Sequence, residues 1–251
     1  MEIFLKLTIK YWSENIGKNN SANNALLLAK GIIEKTPSLF EMGLKLVYLN
    51  YLNAAKATNI YSIVSIHEMQ NNIINLLSID LEKAYITIFS FIRKMCINLR
   101  ATLTDKKKVS IKNIYNWQFL NSIHLWAKGI IININYYNIL LWDYLLIYLV
   151  IIKYYKNKNC DIHLLAYPLI QLIFGVIRLN LVDTFYPLRL NLIGLLNQIS
   201  YETKIFIPLS NFLLEIFESK DFTGFAKEVS KEKKTTYDNF ITLKVRILIW
   251  L

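Results

Sequence analysis

Apolar residues recur along most of the chain at the spacing that places them on one face of an α-helix, and short polar stretches separate these segments. The pattern predicts an all-α fold. The predicted helices cover about 25–35, 38–52, 65–77, 81–96, 111–130, 162–180, 187–202 and 208–219. Ser38 and Ser65, each with a glutamate three residues further on, and Asp80 are predicted N-caps.

The predicted helix over 81–96 has two different faces. One face is apolar and is predicted to be buried. It contains Leu81, Tyr85, Ile88, Phe89, Ile92 and Cys96. The other face carries Lys83, Arg93 and Lys94, and we expect it to meet solvent or a partner.

Three of the four prolines lie in the last third of the chain, and each precedes a leucine. Pro168, Pro187 and Pro208 are about 20 residues apart, and proline is tolerated in the first turn of a helix but poorly inside one. Two helices of that length make a hairpin of about 40 residues, the period of HEAT-type repeats. The spacing predicts a HEAT-like or armadillo-like α-solenoid of antiparallel helix pairs. The segment 162–180 is apolar nearly all round, which predicts neighbours on both sides.

Polar stretches suggest the domain boundaries. Residues 1–24 are predicted to be an N-terminal segment that ends in the polar break Asn19–Asn24. Residues 25–219 are predicted to form a single α-solenoid domain. Residues 220–251 turn basic and are predicted to be a flexible tail.

The segment from Ile130 to Tyr155 is the one candidate for a membrane span. Its uninterrupted apolar run, Leu145–Ile152, is too short to cross a bilayer, and extending it takes in Asp143. A carboxylate near the middle of a span costs about 2.5–3.5 kcal/mol on the insertion scale. A buried central helix is therefore the favoured interpretation, and a multi-helix membrane protein stays an alternative.

The chain carries a formal net charge of +11, and 54% of its residues are hydrophobic. A positive surplus of that size suits a partner rich in phosphate or an acidic protein. The alternative is that A/T-rich codons have enriched lysine. Cys96 and Cys160 are far apart and lack metal-site spacing, which favours a reduced, intracellular compartment.

No motif of catalytic or cofactor chemistry stands out in the sequence. His67-Glu68 begins like the zinc-binding H-E-x-x-H helix, but the second histidine is absent. The chain has no P-loop, no G-x-G-x-x-G and no G-x-S-x-G motif. We therefore expect no enzyme, no cofactor, no metal and no small-molecule substrate.

A basic cluster lies between two of the predicted helices. It consists of Lys106, Lys107 and Lys108, with Arg100 and Lys112 on either side. Cations in such a row are suited to an RNA phosphate backbone, but a solvated loop explains them equally well. Tyr115 and Trp117 nearby would serve base stacking, although their helical spacing favours the core.

Several motifs occur together in one order along the chain. They are Asp80-Leu81-Glu82-Lys83-Ala84-Tyr85, Phe91-Ile92-Arg93, Tyr115-Asn116-Trp117-Gln118-Phe119, Tyr167-Pro168-Leu169-Ile170-Gln171, Gly175-Val176-Ile177-Arg178-Leu179, Phe185-Tyr186-Pro187-Leu188-Arg189, Phe206-Ile207-Pro208-Leu209 and Leu213-Leu214-Glu215. Over roughly residues 40 to 220 the chain thereby resembles the nucleolar complex protein 2 (Noc2) family.

The resemblance implies a HEAT-like helical scaffold without catalytic activity. It implies a role in the assembly and nuclear export of precursors of the large ribosomal subunit (pre-60S particles). The implied partners are sister nucleolar complex proteins, as heterodimers, and the pre-60S particle with its rRNA. The implied location is the nucleus, in nucleolus and nucleoplasm. A generic helical adaptor or transport receptor stays the alternative.

The chain departs from the family at both ends. It lacks the long acidic N-terminal extension, and it stops at Leu251 after a family-like stretch, Leu243-Lys244-Val245-Arg246. We expect either a fragment or the product of a reduced genome, in which case the location would be a relict nucleus such as a nucleomorph.

The same motifs supply candidate residues for partner contact or for structure. Arg178 and Arg189 lie on apolar helices, so each is either paired internally or directed at a partner. The full set is Tyr115, Trp117, Gln118, Arg178, Tyr186, Pro187 and Arg189.

Overall fold

The computed structural model describes residues 1–17, 21–105, 112–142, 161–179 and 186–217. Within these ranges every regular element is helical, which confirms the all-α class. The α-helices are α1 (Glu2–Asn15), α2 (Ser21–Lys35), α3 (Phe40–Ala54), α4 (Ile63–Leu77), α5 (Leu81–Asp105), α6 (Trp117–Trp142), α7 (Ala166–Leu179), α8 (Tyr186–Thr203) and α9 (Ser210–Phe217). Short 3-10 turns occupy Pro37–Leu39, Ala55–Ala57 and Asp161–Leu165.

Two of the predicted N-caps are wrong. Ser38 lies inside a 3-10 turn, because Pro37 starts that turn before α3 begins at Phe40. Ser65 lies inside α4, which begins at Ile63. There the carboxamide oxygen of Asn59 accepts the N–H of Ser62 at 2.8 Å, and this side-chain turn brings the chain into the helix earlier than the capping pattern indicates.

Asp80, by contrast, caps α5 as predicted. Its carboxylate accepts the backbone N–H of Lys83 at 3.1 Å, and it also pairs with the Lys83 ammonium at 3.2 Å. The helix predicted from about residue 111 begins later, at Trp117. Asn116 is the reason, since its side chain accepts the N–H of Phe119 at 2.8 Å and so occupies the N-cap position.

The chain divides into two compact units, Met1–Leu169 and Ile170–Leu251. In the first unit α3 is central, because it contacts α1, α2, α4, α5 and α6. Gly43 permits the close approach of α2 to α3, since a methyl group there would lie 2.8 Å from Cδ1 of Ile33. The domain boundaries predicted near residues 24 and 219 stay predictions.

The N-terminal residues contribute to the core of this unit. α1 packs on α2 and α3, and it buries Leu5, Ile9 and Trp12. Gly17 follows α1 with φ +74°, a left-handed conformation that glycine adopts without steric penalty. Helix α2 then begins at Ser21, inside the stretch that the sequence presents as a polar break.

An aromatic cluster joins three helices of the first unit. The ring of Tyr48 on α3 lies 4.3 Å from Phe91 on α5 and 5.0 Å from Trp126 on α6, between ring centroids. Phe91 and Trp126 stack at 5.5 Å. Rings in tilted or offset contact contribute about 0.5–1.5 kcal/mol per pair beyond their burial.

Phe91 also corrects the predicted buried face of α5. Phe89, placed in the core by the sequence pattern, is exposed, while Phe91 is buried. The buried apolar positions are Ala84, Ile88, Phe91, Ile92, Met95 and Leu99. The helix is thus rotated relative to the predicted face, because the aromatic cluster holds Phe91 against α3 and α6.

The second unit contains most of α7, with α8 and α9. Phe174 on α7 lies 5.4 Å from Phe212 on α9, ring to ring. As predicted, Pro168 and Pro187 lie in the first turns of α7 and α8, and Pro208 lies two residues before α9. α7 is not apolar all round, because Tyr167, Gln171 and Arg178 form an exposed stripe along it.

Within the described ranges, no helix is long and apolar enough to cross a membrane. The backbone of α6 continues through Trp142, past the start of the candidate span at Ile130. Residues 143–160 lie outside the described part of the chain, so the buried central helix predicted for Ile130–Tyr155 stays a prediction.

The cap of α5 generates a pH-dependent prediction. Burial raises the pKa of Asp80, but the backbone and ammonium hydrogen bonds from Lys83 outweigh it and hold the pKa below its usual value. A depressed folded-state pKa contributes stability that is present above the unfolded pKa, about 3.9, and is lost as pH falls through the folded value. We expect Asp80→Ala to lower the free energy of unfolding by about 1 kcal/mol at neutral pH, with a smaller difference below about pH 4.

Urea unfolding followed by circular dichroism at several pH values measures this effect. Asp80→Asn is the matched control, because the amide oxygen still caps the helix but carries no charge. A loss in Asp80→Ala that stays constant from neutral to acid pH would contradict the role of the carboxylate.

Candidate functional site

The structure describes only two of the five cations predicted to bind RNA. Arg100 lies near the end of α5 and Lys112 lies just before α6, and both are exposed. Neither forms a salt bridge with another residue of the described part of the chain. Lys106, Lys107 and Lys108 lie outside the described residues, so their RNA contact stays a prediction.

The Tyr115–Gln118 motif positions the start of α6 against α3. Asn116 caps α6, and Nε2 of Gln118 donates a hydrogen bond of 2.8 Å to the backbone oxygen of Leu52. Leu52 lies in the last turn of α3, where carbonyl groups have no partner within the helix. Gln118 therefore satisfies the end of one helix from the beginning of another.

A chain of hydrogen bonds extends this junction to α4. The amide of Gln70 on α4 donates to the Tyr51 hydroxyl at 2.9 Å, and that hydroxyl donates to the backbone oxygen of Asn121 at 2.9 Å. Asn121 in turn donates to the Thr58 hydroxyl at 2.9 Å. One tyrosine thus connects α3, α4 and α6.

Tyr48, one turn before Tyr51, makes a second bond of the same kind. Its hydroxyl donates to Oγ of Ser122 at 3.0 Å, and the Ser122 hydroxyl donates to the backbone oxygen of Gln118 at 2.7 Å. Burial raises the pKa of both tyrosines above the usual value of 10.0. Both hydroxyls therefore stay protonated at neutral pH and keep their protons for these bonds.

The two aromatic residues of the motif are partly buried. Tyr115 and Trp117 are half-buried, whereas Trp126, further along α6, is fully buried. Tyr115 and Trp117 thus lie between the core and the surface, and their role in partner contact or structure stays a prediction. The motif carries out a structural task through Asn116 and Gln118, a part that the sequence alone does not reveal.

The two candidate arginines of the second unit have different environments. Arg189 on α8 is 1% exposed, and its guanidinium donates to Oε2 of Glu215 on α9 at 2.6 Å. Arg178 is exposed on α7, with its guanidinium carbon 5.7 Å from the centre of the Phe212 ring. Arg189 is thus paired internally. Tyr186 and Pro187 belong to the first turn of α8.

Glu215 is a structural residue that sequence reasoning does not assign. It is part of the Leu213-Leu214-Glu215 motif, which is the one signal that could have drawn attention to it. A buried arginine requires a carboxylate partner, because an uncompensated buried charge costs about 3–5 kcal/mol. The pair therefore holds α9 against α8.

In the described part of the chain, no three His, Cys, Asp or Glu side chains lie close enough to hold a metal ion. A shallow groove between α1 and α2 is lined in part by Leu7, Tyr11 and Leu28, and its polar residues include the exposed pair Lys10 and Glu14. This groove offers an apolar surface beside one solvent-exposed ion pair.

Gln118 provides a test of the junction. We expect Gln118→Ala to lower the free energy of unfolding by about 1–2 kcal/mol, because the carbonyl of Leu52 loses its hydrogen-bond partner. Gln198→Ala is the matched control, since Gln198 is exposed on α8 and its loss costs less than about 0.5 kcal/mol. Urea unfolding measures both variants, and equal losses would contradict the junction role.

Similar proteins occur in fungi, animals and plants. A NOC2 family protein of Schizosaccharomyces pombe is 27% identical over 224 residues, covering 89% of this chain and 29% of that protein. Nucleolar complex protein 2 of Drosophila melanogaster is 29% identical over 179 residues, which cover 71% of this chain and 20% of that protein. Nucleolar complex-associated protein 2 of Arabidopsis thaliana is 26% identical over 218 residues, which cover 87% of this chain and 25% of that protein. The chain thus matches less than a third of the length of each of these relatives.

A family-wide comparison also covers most of this chain. The model of the Noc2p family matches residues 38–248, a range that includes α3 to α9 and the Tyr115–Gln118 motif. On the strength of that match, the chain belongs to the Noc2p family.

Proposed function

We propose that this chain is a non-enzymatic helical scaffold that acts in the assembly and nuclear export of pre-60S ribosomal particles. The observation that carries the proposal is the family match over residues 38–248. Relatives from fly and plant are named as nucleolar complex or nucleolar complex-associated proteins. The proposed location is accordingly the nucleus, in nucleolus and nucleoplasm.

The side-chain contacts support a scaffold. Gln118 and Arg189, two motif residues able to recognise a ligand, are instead bonded to neighbouring helices. A scaffold needs helices held in a defined arrangement, and these bonds supply that. We propose that the helices stack as HEAT-like or armadillo-like antiparallel pairs, a proposal supported by the prolines at or before the starts of α7, α8 and α9.

The proposed partners are a sister nucleolar complex protein, as a heterodimer, and the rRNA of the pre-60S particle. A net charge of +11 supports contact with RNA, because phosphate neutralisation dominates such binding. The proposed RNA contacts are Arg100, Lys106, Lys107, Lys108 and Lys112. Arg100 and Lys112, the two that the structure describes, are exposed.

Purification from the native source tests the function. We expect the tagged chain, isolated at moderate salt, to bring down large-subunit precursor RNA and a sister nucleolar complex protein, identified by RNA sequencing and mass spectrometry. The tag alone is the control. Recovery of neither would overturn the proposal, and recovery of a transport GTPase without precursor RNA would favour a transport receptor.

The basic loop has its own test in salt dependence. We expect the triple variant with Lys106, Lys107 and Lys108 changed to glutamate to bind precursor RNA more weakly. The plot of log affinity against log salt concentration should become less steep by roughly 2–3, because each lost phosphate contact reduces the magnitude of its slope by about 0.7–0.9. Fluorescence anisotropy over a salt series measures this.

The control carries the same change in net charge at other positions. Lys6, Lys45 and Lys56 are exposed elsewhere in the first unit, and changing them to glutamate should leave the slope nearly unchanged. A slope that falls equally in both variants would mean that net charge, not the loop, binds the RNA.

A further inference from the structure

The outward face of α5 carries a row of mostly exposed residues. The row steps alternately by four and three positions and consists of Ile86, Ser90, Arg93, Ile97, Arg100 and Thr104. All are exposed except Ser90, which is half-buried. Ile86 and Ile97 are 59% and 55% exposed, which is costly for aliphatic side chains of this size. We call this row the α5 seam.

The spacing of the seam suits another helix. Its steps of four and three average 3.6 residues, the repeat of an α-helix, so the row forms a straight stripe along α5 against which a partner helix can lie. The seam covers residues 86–104, about 27 Å at 1.5 Å per residue. Phe89 and Leu103, both exposed, flank it on one side and widen the apolar area.

The charge of the seam indicates what the partner helix carries. Arg93 and Arg100 lie on it, and between Glu82 and Asp105 α5 has no carboxylate. Among the described residues neither arginine forms a salt bridge. Glu82 is on the same face one turn before Ile86, so the face is acidic only at its start. The opposite face of α5 is occupied by α3 and the 3-10 turn Asp161–Leu165.

We infer that the α5 seam binds an acidic amphipathic helix of a partner protein. Its apolar residues would cover Ile86 and Ile97, and its carboxylates would pair with Arg93 and Arg100. RNA suits the seam less well, because phosphates gain nothing from the isoleucines placed between the cations. A second copy of this chain suits it less well too, since two such cationic faces repel each other.

The inference goes beyond the ribosomal role, because it specifies the chemistry of a protein partner at a surface that α5 presents by itself. Arg100 is also a proposed RNA contact, so the test relies on Arg93 and Ile86. The probes are two labelled synthetic helical peptides with the same leucine stripe, one flanked by glutamates and one by lysines. The full chain is titrated into each at low salt, with fluorescence anisotropy as the readout.

We expect the acidic peptide to bind more tightly than the basic one. Arg93→Glu should weaken binding of the acidic peptide about fivefold to tenfold and strengthen binding of the basic one, because the charge that faces the peptide is reversed. Ile86→Ser should weaken the binding of both peptides. Lys45→Glu, the same charge change at an exposed site on α3, should leave both affinities within about twofold. Circular dichroism checks that each variant folds.

Several results would overturn the inference. If the acidic peptide does not bind, or if Lys45→Glu and Arg93→Glu weaken its binding equally, the α5 seam does not recognise it. If Ile86→Ser leaves peptide binding unchanged, while Arg93→Glu weakens the binding of a single-stranded RNA oligonucleotide, the face binds phosphate. If the chain self-associates and Arg93→Glu abolishes this, a second copy is the occupant. None of these results bears on whether the chain recovers precursor RNA from cells.

Discussion

The hydroxyl groups of Tyr48 and Tyr51 hold α3 against its neighbours, and the first unit depends on these buried bonds. A buried hydroxyl without a partner costs about 1–3 kcal/mol, so each tyrosine admits only arrangements that satisfy it. Tyr51 accepts from Gln70 and donates to the backbone of α6. Tyr48 donates to Ser122 while its ring packs on Trp126. Together they fix the position of α6 along α3, which apolar packing alone leaves adjustable.

Polar bonds of the same kind position the Tyr115–Gln118 motif. Asn116 starts α6 at one residue, and Gln118 then reaches the end of α3. In the second unit the bond from Arg189 to Glu215 has the corresponding role between α8 and α9. Internal polar bonds of this kind give a scaffold its defined shape, while its outer faces stay available. The α5 seam and the exposed Arg100 and Lys112 lie on such faces.

Local signals in the sequence predicted the start of a helix correctly where a side chain acts on the backbone next to it. Asp80 caps α5, and proline marks the start of α7 and α8, because both effects operate within one helical turn. The capping pattern failed at Ser38 and Ser65, where Pro37 and Asn59 impose turns of their own. For the candidate site, the motif was recognisable, but the roles of Gln118 and Arg189 depended on partners 66 and 26 residues away.

By itself the sequence determined the helical class, the N-cap of α5, the proline-marked helices and the motifs of the family, since periodicity and short motifs are local properties. Only the tertiary structure decided that Phe91 and not Phe89 is buried, that Arg189 is paired internally, and that Ile86, Arg93 and Ile97 share one exposed face. The reason is physical. A helix can rotate about its axis without changing its own backbone bonds, so its buried face is chosen by the neighbours that its aromatic and polar side chains meet.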